Sequence, residues 1–296
     1  MRFNGFVGAL ALLMAGSAMA ADAPPSTATP VEDVVVVAPR DDAIEAFVEN
    51  VTAADSNRRL GRWTKELCPG VIGLKPRPAR YMLGVLADTA LRLGLKVGKP
   101  GCRANALIVV ATDAQSFTDD LVKTHPRVFN ASGVDGPVTR GKAALKDFVQ
   151  TPRPVRWWHM SEVVSAETGK AIDDGRLKVR SMSRIGDNVT DDFAYLIVVI
   201  DAKSAGRGVS MRGLSAYVTM VVLAQVNPDA ETGSAPSILN LFKDRDVGAK
   251  PADGLTSWDW AYLKSLYGAN RAKKTRRAPR RDVRDGMKRE LTRPQE

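Results

Sequence analysis

Apolar residues recur along this chain in two rhythms, which together mark out a mixture of helices and strands. After Asp41 and Asp42, either of which can cap a helix, Ile44, Phe47, Val48 and Val51 follow the 3.6-residue period. The segment from Pro78 to Leu93 repeats that logic with Met82, Val85, Leu86, Ala90 and Leu93, and Gly94 supplies the stop. Asp113 caps a third predicted helix containing Phe117, Leu121 and Val122, and a fourth, from Thr139 to Val149, sets Leu145, Phe148 and Val149 on one side. Leu214 to Val226 is apolar nearly all round. At 13 residues it is too short to span a bilayer, so it reads as a central buried helix. A short helical turn follows at Pro236 to Phe242. The last helix runs from Ser257 to Tyr267, capped by Thr256 and carrying Trp258, Trp260, Leu263 and Leu266, with Gly268 past its end.

The second rhythm belongs to strands. Val31 to Arg40 is a short apolar run stopped by Pro39, and Ala106 to Ala111 is a continuous apolar run of the kind buried on both faces of a sheet. Further strands are expected at Val155 to Val163, Leu177 to Met182 and Phe193 to Asp201, with Gly169 and Asp173-Asp174-Gly175 marking the turn between the first two. Helices and strands alternate without a strict βα rhythm, and no internal repeat is present. The expectation is one α+β domain over residues 31–270, a mixed sheet packed by several helices. A Pro/Ala/Thr linker precedes it at 21–30, and a disordered basic tail follows at 271–296.

The first twenty residues add an address. Arg2 gives a positive n-region, Phe6 to Met14 an apolar h-region, and Ser17-Ala18-Met19-Ala20 ends in the small-x-small pattern of a signal-peptidase site. The run is short for a membrane span, and no Cys follows the cut to carry a lipid. The expectation is a secreted or periplasmic protein whose mature chain starts near Ala21 and has no transmembrane segment. In an oxidising compartment the two cysteines, Cys68 and Cys102, read as one disulfide, and their neighbouring Pro-Gly turns leave the thiols reachable. The alternative is a pair of buried free thiols.

The net charge of +10 changes meaning once it is located. Residues 271–296 hold 11 Lys/Arg and 4 Asp/Glu, whereas the body from Ala21 to Asn270 holds 31 basic and 29 acidic residues. The body is nearly neutral, so no nucleic-acid partner is expected from its surface. The paired basics Lys273-Lys274, Arg276-Arg277 and Arg280-Arg281 are candidates for adhesion to anionic envelope material.

Candidate chemistry is sparse. Gly136-x-x-x-x-Gly141-Lys142-Ala143 approaches a phosphate-binding loop but lacks the Ser/Thr hydroxyl that would hold Mg²⁺, and Pro137 removes a cradle N–H, so no nucleotide cofactor is expected. Only two histidines exist, His125 and His159, and they do not make the two-histidine helical zinc motif; no metal site is expected. His125 falls in a loop, and no Gly-x-Ser-x-Gly elbow accompanies it. In Arg156-Trp157-Trp158-His159-Met160-Ser161-Glu162, strand alternation puts Trp157, His159 and Ser161 on one face and Trp158, Met160 and Glu162 on the other. An aromatic ring beside an imidazole can line a pocket or simply pack a core. Asp119-Asp120, Asp173-Asp174 and Asp191-Asp192 are adjacent residues that point apart, and they suit caps better than acid/base pairs.

Three resemblances bear on this. Val31 to Arg40 is similar to the short N-terminal box of TonB-dependent outer-membrane receptors, which pairs with a partner's sheet by strand addition; the chain is too short for such a receptor's barrel. In the C-terminal half, the strand Phe193–Asp201, the apolar helix from Leu214, the turn Pro236-Ser237-Ile238-Leu239-Asn240-Leu241-Phe242 and Leu255-Thr256-x-x-Asp259-x-Ala261-x-Leu263-x-x-Leu266-Tyr267 resemble the end of secreted zincin-like metallopeptidase domains. There the apolar helix would carry His-Glu-x-x-His. Here it reads Ser215-Ala216-Tyr217-Val218-Thr219-Met220-Val221-Val222-Leu223-Ala224-Gln225, which implies a scaffold without its zinc. As a whole the chain resembles uncharacterised exported proteins of Gram-negative bacteria. The expected function is non-catalytic binding of an envelope protein or anionic envelope polymer, at a surface near Trp157 and His159 with affinity added by the tail. The alternative is a hydrolase on a degenerate zincin-like scaffold, using His159 and Glu162.

Overall fold

Four strands, β1 (Pro69–Ile72), β2 (Ala106–Ala111), β3 (Val155–Ser165) and β4 (Val189–Asp201), form one sheet in the order β1-β2-β4-β3 in the computed structural model. The structure describes residues 41–53, 60–129, 139–165, 189–268 and 280–293. The expected signal peptide, linker and strand at Val31–Arg40, the strand at Leu177–Met182, the turn at Asp173-Asp174, and Lys273, Lys274, Arg276 and Arg277 lie outside the described residues. β1, β2 and β4 run parallel, and β3 runs antiparallel to β4 at the edge. The mixed sheet of the α+β expectation is therefore present. β1 was not expected: Pro-Gly-Val-Ile has no alternation to read. A proline is tolerated there because it opens an edge strand, where its missing N–H breaks no ladder.

The helices are α1 (Asp41–Val51), α2 (Pro76–Arg92), α3 (Ala114–Thr124), α4 (Pro126–Phe129), α5 (Gly141–Gln150), α6 (Ala202–Ala205), α7 (Met211–Leu223), α8 (Leu241–Asp246), α9 (Ser257–Gly268) and α10 (Arg280–Thr292). α2 is the crossover that two parallel neighbours such as β1 and β2 require. Strand alternation divides the interior in two. Val155, Trp157, Leu196, Val198 and Ile200 face a large core shared with α1, α2, α7, α9 and α10. Trp158, Met160 and Val199 face a smaller core under α3, α4 and α5, where Phe129, Phe148 and Trp158 pack ring against ring.

The apolar stripes behave as their spacing predicts. Ile44, Phe47, Val48 and Val51 are the buried residues of α1, and every residue of α7 from Ser215 to Leu223 is buried. Ser215 and Thr219 dispose of their hydroxyls by donating to the carbonyls of Met211 and Ser215, four residues back. Cys68 and Cys102 are bridged, their Cα atoms 6.1 Å apart, which ties the start of β1 to the loop before β2. Among the described residues, no helix is long and apolar enough to cross a membrane.

The C-terminal segment is a correction. Residues 280–292 were expected to be part of a disordered tail; they form α10, which buries Val283, Gly286 and Met287 against the body. α10 packs on α9 and on the acidic α1, and Arg284 and Lys288 pair with Glu45 (2.9 Å) and Asp41 (2.7 Å). Charge alone hides this helix, because Val283, Met287 and Leu291 still make a four-residue stripe through the basic sequence.

Candidate anion-binding pocket

At the start of β3 the chain turns out of α5 through Thr151-Pro152-Arg153-Pro154, and the prolines hold the backbone extended into the strand. Here Arg140, Arg153 and Arg156 line a shallow cleft with Ala144, Asp147, Phe148, Trp157, Trp158 and Pro228, whose enclosed space of about 10 Å³ is that of about one water molecule. Asp147, on α5, accepts from the Arg153 guanidinium at 3.0 Å and from the Thr151 hydroxyl at 2.6 Å. Burial alone would raise Asp147, but these bonds outweigh it and hold the carboxyl below its ordinary range. Arg153 also reaches Asp229. Its burial is likewise outweighed by the two carboxylates, which keep it above the ordinary arginine value.

Arg156 is different. It is only 4% exposed, its Nη1 donates to the Val149 carbonyl (3.1 Å) and its Nη2 to Gln115 Oε1 (2.8 Å), both neutral acceptors. Burial pushes its guanidinium below the ordinary value; the Asp201 and Asp119 carboxylates oppose this, and the Arg153 charge adds to it. Its Nε has no hydrogen-bond partner, and neither does Nε1 of the neighbouring Trp158, itself buried. Trp157 is satisfied, since its indole donates to the Val226 carbonyl at 3.1 Å. The cleft therefore combines guanidinium groups with aromatic walls, and two of its lining residues, Arg156 and Trp158, keep a buried N–H without a partner.

The structure places the sequence candidates elsewhere than expected. Trp157 and His159 do share a face of β3, but that face is turned into the core, where they are 5% and 4% exposed, so they offer no surface of their own. His159 stacks on Phe193, ring centroids 4.6 Å apart. Its burial pushes the imidazole down to about 3, with the Arg140 charge adding to the effect and the Val221 carbonyl opposing it, so it is neutral at physiological pH. Glu162 lies beyond a register shift between Met160 and Ser161, opposite Asp192, and pairs with Lys65. No described contact joins His159 to Glu162. The register shift between Met160 and Ser161 lies between the two residues of the alternative reading.

Beside Glu162, Asp192 is buried, accepts from the Thr64 hydroxyl and faces Arg62; burial raises its carboxyl above the usual range against both. Arg280 and Arg281 belong to α10, with Arg281 exposed and Arg280 half-buried. His125 caps the end of α3, its Nδ1 within 2.8 Å of the Thr124 hydroxyl. Among the described residues, no group of three His, Cys, Asp or Glu side chains could hold a metal ion. Asp259 accepts from the Ser237 hydroxyl (2.6 Å) and from the N–H groups of Ile238 and Thr256 (both 2.8 Å), so this buried carboxylate is a structural tie.

Sequence reasoning missed Arg140, Asp147, Arg153, Arg156 and Trp158 as one group. One signal was present: Arg156 is a charged residue inside a strand whose neighbours are apolar in both phases of the alternation, and a charge in that position needs a reason. The chain matches no known family model, no curated protein and no solved structure.

Proposed function

We propose that the protein is exported to the bacterial envelope and acts there without catalysis, binding an anionic envelope polymer through the arginine pocket at the start of β3. The observation that carries this reading is Arg156. It is a buried cation bonded to neutral groups alone, in a pocket that two further arginines line. Buried charges in stable folds are paired, and Asp201 and Asp119 reach Arg156 through their field without a hydrogen bond, so an anionic group at the mouth of the cleft would add to its pairing. The sequence of residues 1–20 and the Cys68–Cys102 bridge support export. Lys273, Lys274, Arg276 and Arg277 would add a salt-sensitive attraction to the same polymer. Of the 280–293 segment, Arg284 and Lys288 are already engaged with α1.

The test is co-sedimentation of the mature chain with isolated peptidoglycan and with outer-membrane lipid vesicles, at low and at physiological salt. Binding that falls in the double variant Arg153→Gln/Arg156→Gln supports the reading. Binding unchanged by that variant, or no binding to either polymer, removes it. Capture of an acidic protein in place of a polymer would transfer the pocket to a protein partner.

The zincin-like resemblance enters as a second proposal, about the scaffold. Two features support it: β4 is followed, after the short α6, by the buried helix α7, and Asp259 of α9 ties down the Ser237 turn.

A further inference from the structure

We propose that the outward face of α2 is a docking surface for a bilayer that carries anionic phospholipid. The helix is two-sided: Met82, Leu86, Thr89 and Ala90 are buried against the body. With 3.6 residues per turn, Arg77, Arg80, Tyr81, Asp88, Leu91 and Arg92 fall on the opposite side, within about 60° of one line along the helix. All six are exposed. From Arg77 to Arg92 this face is roughly 22 Å long at the helical rise. Its charge is hidden by the average over the body. Residues 74–105 hold seven Lys/Arg and one Asp, a net +6, whereas the body from Ala21 to Asn270 is +2, so the remainder of the body is acidic. The inference does not rest on the cleft at the start of β3, with which this face shares no residue.

These cations do nothing for the helix that carries them. Among the described residues, the side chains of Lys75, Arg77 and Arg80 have no hydrogen-bond or ion-pair partner, while Arg92 lies over the Trp260 ring, 4.0 Å from its centroid. The first turn of α2 holds no acidic residue. Lys75, Arg77 and Arg80 therefore crowd the positive end of the helix dipole, and Arg77 and Arg80 repel one another at i,i+3 spacing. Stability alone would place Asp or Glu there, so an anionic partner is what this arrangement suits. Tyr81 and Leu91 stand among the cations, 43% and 57% exposed. A helix side is convex and meets a broad surface better than a small molecule. A dissolved polyanion would answer the arginines and leave Leu91 in water. A bilayer answers all of them: headgroup phosphates for the cations, the headgroup boundary for the Tyr81 ring, and acyl chains for Leu91.

The experiment is co-sedimentation of the mature chain with vesicles of phosphatidylcholine alone and of phosphatidylcholine mixed with phosphatidylglycerol, at low and at physiological salt. Binding to the mixed vesicles, weakened by salt, is expected. Arg77→Gln/Arg80→Gln is expected to weaken it about tenfold or more, because each basic side chain at an anionic surface adds to the attraction. Its urea midpoint should stay level or rise, since the repulsion at the head of α2 is relieved. Leu91→Ser is expected to weaken binding at both salt concentrations. Three results overturn the inference: no binding of the parent chain to the mixed vesicles; a folded Arg77→Gln/Arg80→Gln chain that binds as the parent does; or a Leu91→Ser chain that binds vesicles as the parent does while the parent binds polyglutamate or duplex DNA equally well, which makes the face a site for dissolved polyanions. The cleft variant Arg153→Gln/Arg156→Gln separates this inference from the proposed function. Vesicle binding lost in the α2 variant and kept in the cleft variant, with no binding to peptidoglycan, sustains the lipid face and removes the cleft reading. The reverse pattern overturns the lipid face and leaves the cleft reading standing.

Discussion

Gly286 of α10 lies so close to Ser265 of α9 that a Cβ built on it would stand 2.5 Å from the Ser265 Oγ. The contact works because one partner has no side chain, and it lets the helices approach close enough to bury Val283 and Met287. Gly286→Ala is therefore expected to destabilise the protein by about 1–3 kcal/mol through overpacking, despite the better helix propensity of alanine. Adding Ser265→Gly should recover part of the loss. Urea unfolding of the two single variants and the double variant measures the coupling; strict additivity would mean that α10 does not dock on α9 through this contact.

The Ser265 hydroxyl is itself buried without a partner. Ser265→Ala removes an unsatisfied polar atom and relaxes nothing else, so stability should stay level or rise by about 1 kcal/mol. Thermal unfolding gives the answer, and a clear loss would show that the hydroxyl has a role beyond packing.

Asp259 ties two segments together: the Ser237-Ile238 turn and Thr256, just before its own helix α9. Asp259→Ala leaves those buried donors unanswered and is expected to cost about 3 kcal/mol or more. Burial raises the Asp259 carboxyl above its ordinary range in spite of these bonds. The folded state therefore holds this proton to higher pH than the unfolded chain does. This residue's contribution to stability is greatest in acid and declines as pH rises from the ordinary aspartate value through the raised one. Asp259→Asn should flatten that part of the stability profile, which urea midpoints between pH 3.5 and 7 would show.

His159 acts in the opposite sense. Its imidazole is held down to about 3 against an ordinary 6.5. Between those values the unfolded chain takes up a proton that the folded chain refuses, so stability is full above about pH 6.5 and drains away as pH falls. The slope approaches about 1.4 kcal/mol per pH unit for one such group. His159→Leu is expected to lose that slope. Equal acid sensitivity of the two proteins between pH 6.5 and 4 would mean that His159 is protonated in the fold.

The Cys68–Cys102 bridge closes a loop with a sequence separation of 34 that contains β1 and α2. Reduction is expected to cost about 4 kcal/mol on loop-closure grounds. The loss should be felt first at β1, a four-residue edge strand. Hydrogen exchange of Val71 and Ile72 with and without reductant checks this, and unchanged protection there would place the bridge's effect elsewhere.

The sequence by itself determined most of the local elements and favoured the covalent bridge over free thiols. The stripe Ile44, Phe47, Val48, Val51, the run Ala106–Ala111 and the all-apolar α7 are legible because periodicity and continuity are properties of neighbouring residues. What required the tertiary structure is everything set by pairs distant in the chain. α10 reads as a solvated basic segment until Glu45, 239 residues away from Arg284, supplies the opposite charge and Ser265 the socket. Trp157 and His159 share a face on sequence grounds, but only the helix layer built by α7 decides that this face is interior. Along the chain Arg153 looks like an ordinary surface arginine, and Arg156 stands out only as a charge between apolar strand neighbours. Burial under α5 and beside Pro228 turns Arg156 into a desolvated cation, because the cost of a charge depends on what surrounds it in space and not on its neighbours in sequence.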